Sequence, residues 1–216
     1  CRRIVKDYQD KFIRIALKSE ALIFGDFTLK SGRNSPYFFN AAKMLNTKFL
    51  ADLSECYTKT LQELDVSFDS IYGPAYKGIF LASIIGTSLG ESDLDIPISF
   101  NRKEEKDHGE GGDIVGQLPS GNVLIVDDVI SAGTAARESI EKIKSIGANP
   151  KVMLVGLDRQ EKGSSEISAK AELENDFGLT VSSIVNLDLL ISFVSDDPNF
   201  KEFKSDLEEY RSNWGA

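Results

Sequence analysis

Cysteine and histidine are scarce in this chain of 216 residues, which limits the kinds of site that it can build. The two cysteines, Cys1 and Cys56, form no CxxC pair, and the only histidine, His108, lies far from both. We therefore expect neither a disulfide framework nor a zinc centre. The same scarcity makes a reducing cytoplasm the expected location. The first residues carry charges where a signal peptide needs an apolar stretch.

Long apolar runs, an excess of positive charge and internal repeats are also missing. No run of about 18 apolar residues occurs, so no membrane span is expected. The formal net charge of −9 argues against nucleic acid as the main partner, although local charges and backbone N–H groups can still hold small anions. A composition of 41% hydrophobic and 27% charged residues, without linkers, is typical of one globular domain.

Strands and helices alternate along the chain. Short apolar stretches predict strands at residues 35–42, 70–73, 95–100, 123–126 and 152–157. Helical spacing predicts helices at residues 2–20, 47–64 and 77–89, and another that ends near Gly147, with Thr47 as the N-cap of the second. The alternation indicates an α/β fold with an open, mostly parallel sheet and helices on both faces. Such sheets bind ligands at the carboxyl ends of their strands.

The most informative motif is VLIVDDVISAGTA, which covers residues 123–135. An apolar strand without polar alternation delivers two adjacent carboxylates, Asp127 and Asp128, to the edge of the sheet. Small residues follow and lead into a helix, whose first N–H groups favour a phosphate. The two carboxylates can accept hydrogen bonds from a vicinal diol while the loop beside them holds a phosphate. This combination predicts a binding site for ribose 5-phosphate, which we call the ribose cradle.

Three other interpretations of this motif compete with the cradle. The two aspartates could form an exposed turn, although the preceding strand is strongly apolar. The string VLIVDD also opens receiver domains of two-component signalling, whose acidic pair binds magnesium, and Asp158 ends the next strand as such a domain requires. The long α/β region before the motif argues against that fold. A dinucleotide fold would need GxGxxG after a strand, and the chain has none.

DDVISAGTA resembles the diphosphate–ribose signature of type I phosphoribosyltransferases. Nearly the whole chain is similar to the orotate phosphoribosyltransferase family, through FTLKSGRNSPYFFN, GPAYKG, NRKEEKDHGEGG, DDVISAGTA and LDRQE. The resemblance implies a type I phosphoribosyltransferase fold in a single domain. Its expected parts are hood elements at roughly residues 1–45, an α/β core at roughly 46–160 and closing C-terminal elements at roughly 161–216.

The resemblance assigns the base, orotate, to residues from several stretches: Lys30, Phe38, Phe39, Ser131 and Arg159. Ser131 stands where many relatives have Thr, and the hydroxyl is kept. Adjacent aromatic residues in a strand are more often core residues, and alternation lets only one of Phe38 and Phe39 face a given side. Arg159 could pair a planar carboxylate through two parallel hydrogen bonds, or it could be an ordinary surface residue.

The phosphoribosyl diphosphate is assigned in the same way to basic residues of two loops and to the whole motif after the strand: Tyr76, Lys77, Arg102, Lys103, Lys106, His108, Asp127, Asp128, Val129, Ile130, Ser131, Ala132, Gly133, Thr134 and Ala135. The resemblance gives catalytic roles to Lys106, Asp127 and Asp128. Residues 101–113 would form a lid with glycine hinges, whereas their composition alone also fits a solvated loop.

The reaction implied is displacement of pyrophosphate from 5-phosphoribosyl-1-diphosphate by a base nitrogen, in the pyrimidine pathway. Mg²⁺ is the implied cofactor, carried on the diphosphate and reached by Asp127 and Asp128 through water, with no direct protein ligand. A homodimer that shares the lid loop is also implied. A phosphoribosyltransferase for another base and a non-catalytic sensor of the diphosphate remain as alternatives.

Overall fold

The structure is a computed structural model that describes residues 5–29, 32–91, 94–103 and 113–216. Its helices are α1 Asp7–Lys18, α2 Thr47–Leu64, α3 Lys77–Gly90, α4 Thr134–Ser145, α5 Ala169–Phe177, α6 Leu187–Asp196 and α7 Lys204–Trp214, with short 3-10 turns at Ala41–Met44 and Lys201–Phe203. Its strands are β1 Leu22–Thr28, β2 Asn34–Phe39, β3 Ser70–Tyr72, β4 Ile98–Asn101, β5 Ile114–Gly116, β6 Asn122–Ile130, β7 Asn149–Asp158 and β8 Thr180–Asn186.

The main sheet has six strands in the order β5-β4-β3-β6-β7-β8. All neighbours in it are parallel except β5, which runs antiparallel to β4 at one edge. The α/β class and the mostly parallel sheet predicted from the alternating pattern are confirmed. β6 lies inside the sheet, and its residues Val123 to Val126 are completely buried, which explains why this strand lacks polar residues.

Two apolar layers cover the two faces of the sheet. On one face, Phe12 of α1, Tyr57 of α2 and Leu81 of α3 pack with Val126 in one hydrophobic cluster. On the other face, Ile140 and Ile143 of α4 pack with residues from α5 and the sheet. None of the helices in the described ranges is long and apolar enough to cross a membrane.

A second, two-stranded sheet pairs β1 with β2 in antiparallel fashion. The side chain of Tyr37 in β2 is fully buried and meets Tyr210 of α7 in an edge-to-face contact, with ring centroids 5.9 Å apart. The C-terminal helix therefore fastens this small sheet to the rest of the molecule.

Several element boundaries differ from the predicted ones. The helix predicted at residues 2–20 covers Asp7–Lys18, and the strand predicted at 152–157 covers Asn149–Asp158. The N-cap of α2 is Asn46, not Thr47, because the Asn46 side chain accepts a hydrogen bond from the Lys48 backbone N at 3.0 Å. The strand predicted to run to residue 42 ends at Phe39 and gives way to a 3-10 turn. β4 begins at Ile98 rather than at residue 95. β6 continues to Ile130, so the acidic pair lies within the strand.

Candidate active site

Four loops converge at one edge of the main sheet because their strands are parallel neighbours. Tyr72 at the end of β3 pairs with Ile125 of β6, and Ile130 at the end of β6 pairs with Asp158 of β7. The segments after β3, β4, β6 and β7 therefore leave the sheet on the same side. This is the edge where open α/β sheets bind ligands.

The two aspartates of the motif occupy different environments. Asp128 is buried, and one of its carboxylate oxygens accepts a hydrogen bond from Lys77 Nζ at 2.7 Å. The Asp127 carboxylate accepts from the backbone N of Asp128 at 2.8 Å. Burial, reinforced by the neighbouring charge of Asp128, raises the pKa of Asp127. The pair therefore favours a ligand that brings hydroxyl donors or positive charge.

The segment after β6 forms the predicted phosphate loop. α4 begins at Thr134, and Gly133 before it has φ of +82°, a left-handed conformation that glycine adopts without strain. A cavity of about 240 Å³ is lined by this segment, namely by Asp127, Val129, Ile130, Ser131, Ala132, Gly133, Thr134, Ala135 and Ala136. The start of α4 thus faces a space in which its N–H groups can hold a phosphate.

The turn after β3 is built by close contact of two glycines. A Cβ added at Gly73 would lie 2.1 Å from the backbone oxygen of Gly78, and one added at Gly78 would lie 2.7 Å from the backbone oxygen of Val126. Only glycine lets the backbone pass this closely. The turn places Lys77 at the start of α3, next to the acidic pair of β6.

The side chains of Tyr76, Arg102 and Lys103 lie at the same edge. The Tyr76 ring is 70% exposed, and Lys103 Nζ lies 5.3 Å from its centroid. The backbone N of Ala75 donates to Asn101 Oδ1 at 2.8 Å, which ties the turn after β3 to β4. Arg102 Nε is buried and has no hydrogen-bond partner among the described residues, so it retains a donor for an anion.

Three predicted site residues, Lys30, Lys106 and His108, lie outside the described residues. Their proposed roles stay predictions. The remaining members of the predicted set lie on β2, at the end of β6, or in the segments that follow β3, β4, β6 and β7.

The two phenylalanines of β2 point in opposite directions, as strand alternation requires. Phe38 is 41% exposed, whereas Phe39 is buried and packs against Phe12 at 6.2 Å between ring centroids. Only the Phe38 ring is therefore open to a ligand. Phe39 could contribute to the base site only through its backbone N–H and carbonyl groups.

Arg159, which follows β7, is buried rather than a surface residue. Its Nε donates to Glu161 Oε1 at 2.5 Å, and its Nη2 donates to Ser35 Oγ and to the Tyr210 hydroxyl, each at 3.0 Å. The guanidinium also stacks on the Tyr37 ring, with 4.2 Å from Cζ to the centroid. The sequence reasoning missed Glu161 and Tyr210; Glu161 could have been noticed, since a carboxylate follows Arg159 in LDRQE.

The acidic pair also bears on how a magnesium ion could be held. Within the described ranges, no three acidic, cysteine or histidine side chains come together to ligate a metal. Asp127 and Asp128 offer two adjacent carboxylates, and carboxylate oxygens are ligands that Mg²⁺ accepts directly or through water. The residues present fit an ion that arrives on a diphosphate and keeps its waters.

Comparison with known proteins agrees with this fold and site. A model of the phosphoribosyl transferase domain matches residues 42–172, so the fold and the site define a type I phosphoribosyltransferase, an enzyme of the pentosyltransferase class. The chain is 48% identical over 210 residues to an orotate phosphoribosyltransferase of Marinobacter nauticus, which covers 97% of this chain and 99% of the relative. The chain belongs to the orotate phosphoribosyltransferase family.

Two further relatives extend this comparison. An orotate phosphoribosyltransferase of Vibrio parahaemolyticus is 49% identical over 212 residues, which covers 98% of this chain and all of the relative. The crystal structure of orotate phosphoribosyltransferase from Francisella tularensis matches this fold with a TM-score of 0.82 at 38% identity, over 95% of this chain and 99% of that one. The family resemblance noted for the sequence is confirmed.

Proposed function

We propose that this protein transfers the phosphoribosyl group of 5-phosphoribosyl-1-diphosphate to orotate, in a magnesium-dependent reaction that yields orotidine 5′-phosphate and pyrophosphate for de novo UMP synthesis. The observation that carries the proposal is the acidic pair beside a cavity at the start of α4. The two carboxylates can recognise a vicinal diol, and the backbone N–H groups at the start of α4 can hold a phosphate. A diol and a phosphate are the two ends of ribose 5-phosphate.

The roles of the basic residues follow from where negative charge develops during the reaction. As the bond from the anomeric carbon to pyrophosphate breaks, negative charge grows on the leaving group. Lys77, Arg102, Lys103 and Lys106 supply the positive charge that would stabilise it. Mg²⁺ bound to the diphosphate would supply further charge stabilisation.

Lys77 has two roles in this proposal. Its ammonium neutralises Asp128 at 2.7 Å. The bound diphosphate would attract the same ammonium and leave Asp128 to accept hydrogen bonds from the ribose hydroxyls. Because Asp128 would exchange Lys77 for the ribose hydroxyls, its buried carboxylate would always have a partner.

The base would lie near β2 and Arg159. Phe38 offers an exposed ring, and Ser131 and Lys30 supply polar contacts. Orotate carries a carboxylate, and the guanidinium of Arg159 can accept such a group as a second anionic partner. A homodimer that shares the loop at residues 101–113, in the cytoplasm, belongs to the same proposal.

The test of the proposed function is a direct assay. The purified protein is incubated with orotate, the diphosphate and Mg²⁺, and the loss of orotate absorbance is followed. Parallel reactions with uracil, adenine or hypoxanthine distinguish a transferase for another base. Tight binding of the diphosphate without turnover of any base would favour the non-catalytic sensor.

Lys106→Ala should lower turnover by roughly 10²- to 10³-fold, the usual loss for one preorganised charge that stabilises a developing anion. The melting temperature should change little, because a polar, Gly-rich sequence is not expected to contribute to the apolar core. Steady-state kinetics at saturating substrates and a thermal melt measure both quantities. Lys59→Ala, on the outside of α2, serves as the control, and near-normal turnover of Lys106→Ala would leave this segment without a role in the reaction.

A further inference from the structure

One buried polar cluster joins four parts of the chain beside the proposed base site. We call it the Glu161 cluster; it consists of Arg33, Ser35, Tyr37, Arg159, Glu161 and Tyr210. Its members come from the turn before β2, from β2 itself, from the segment after β7 and from α7. The Glu161 side chain at its centre is only 3% exposed.

Both carboxylate oxygens of Glu161 are used within the cluster. Oε1 accepts from Arg159 Nε and from the Tyr210 hydroxyl, each at 2.5 Å. Oε2 accepts from Arg33 Nη1 at 3.0 Å. Burial raises the pKa of Tyr210, and the hydrogen bond to Glu161 adds to the rise, so the hydroxyl keeps its proton and donates.

The charges of the cluster do not cancel. Two guanidiniums share one carboxylate, which leaves one positive charge in excess within the cluster. Arg33 is 20% exposed, so solvent screens part of this charge, whereas Arg159 and Glu161 are 6% and 3% exposed and pair directly.

Glu161 also fixes the direction of the Arg159 guanidinium. Glu161 and Tyr210 hold Nε and Nη2, and the Tyr37 ring supports one face of the plane. A side chain that is already immobilised loses little rotamer freedom when a ligand binds. The backbone of Glu161 is itself anchored, because its oxygen accepts from the Ala169 backbone N at 3.2 Å.

We infer that Glu161, assisted by Tyr210, is a positioning residue for the base site: it orients Arg159 toward the carboxylate of the base. This inference rests on the proposed function, in which Arg159 recognises that carboxylate. Glu161 is not expected to contact the substrate.

The experiment measures steady-state constants for both substrates in Glu161→Gln, which keeps the shape of the side chain and removes its charge. The KM for orotate should rise by about 10- to 100-fold, the loss expected when hydrogen bonds to a charged group are weakened. The KM for the diphosphate should stay within about threefold, and the preference for orotate over uracil should fall. Glu161→Asp, which restores the charge, should recover part of the loss.

Tyr210→Phe is the second variant, because it removes one hydroxyl and leaves the ion pairs in place. Its KM for orotate should rise by about fivefold to tenfold, as for the loss of one hydrogen bond. Glu166→Gln is the matched control: its side chain is 89% exposed and pairs with Lys162 at the surface, so its constants should equal those of the unmodified protein.

Three results would overturn the inference. One is an unchanged KM for orotate in Glu161→Gln and Tyr210→Phe. Another is an equal loss for both substrates, which with a lowered melting temperature would mark a purely structural cluster. The third is an unchanged preference for orotate over uracil. If the unmodified protein does not use orotate at all, the proposed function itself fails, and this control separates the two failures.

Discussion

The double substitution of Asp127 and Asp128 by asparagine should abolish productive binding of the phosphoribosyl diphosphate. The shape of the site barely changes, but two charged acceptors for the ribose hydroxyls and for metal-bound water are lost. Hydrogen bonds to charged groups contribute about 1.5–3 kcal/mol each, so the affinity should fall by several orders of magnitude. Titration calorimetry with the diphosphate and Mg²⁺ measures this directly.

Stability should respond in the opposite direction from binding. Burial and the charge of Asp128 already raise the pKa of Asp127, which means that the folded protein carries the second negative charge at a cost. The melting temperature of the double variant should therefore not fall. Glu208 and Glu209, both exposed on α7, provide a control pair for substitution by glutamine with the same change in net charge. Unchanged affinity in the Asp variant would remove the ribose cradle from the proposal and reopen the receiver-domain interpretation of the motif.

Arg159→Ala should remove most of the preference for orotate over uracil. Uracil lacks the carboxylate, so in the unmodified protein it would give the Arg159 guanidinium no second anionic partner beside Glu161. Sites built around such a polar partner reject the analogue without it by up to about 10⁴-fold or more. The variant should need far more orotate, whereas its affinity for the diphosphate should stay close to normal. The comparison requires kcat/KM for both bases in both proteins.

The buried position of Arg159 determines the controls for that experiment. Removal of the guanidinium leaves Glu161 with Arg33 and Tyr210, so the carboxylate is not abandoned and the fold should persist. Arg159→Lys keeps the charge but loses the planar set of donors that also holds Glu161, Ser35 and Tyr210, and it should restore only part of the preference. Arg14→Ala, on the exposed side of α1, controls for loss of an arginine. Equal constants for orotate and uracil in the unmodified protein would refute the orotate assignment, while phosphoribosyl transfer could still stand.

The amino-acid sequence by itself determined the parts of this protein that depend on neighbouring residues. The apolar run before Asp127 and the small residues after Ile130 predicted a buried strand, a loop and a helix, and all three are present. Alternation along β2 predicted that Phe38 and Phe39 would face opposite sides. Local rules did not separate Asn46 from Thr47, because both residue types cap helices and they are adjacent.

Only the tertiary structure decided which distant side chains meet. Lys77 and Asp128 are 51 positions apart, and they are joined because β3 and β6 are parallel neighbours that end at the same edge. Arg159 lies 124 positions from Ser35 and 51 from Tyr210, and no periodicity connects them. The pattern of a sequence reports what each residue prefers locally, whereas contacts of this range follow from the order of strands in the sheet and from where α7 packs. The acidic pair could therefore be found from the sequence, and the cluster around Glu161 could not.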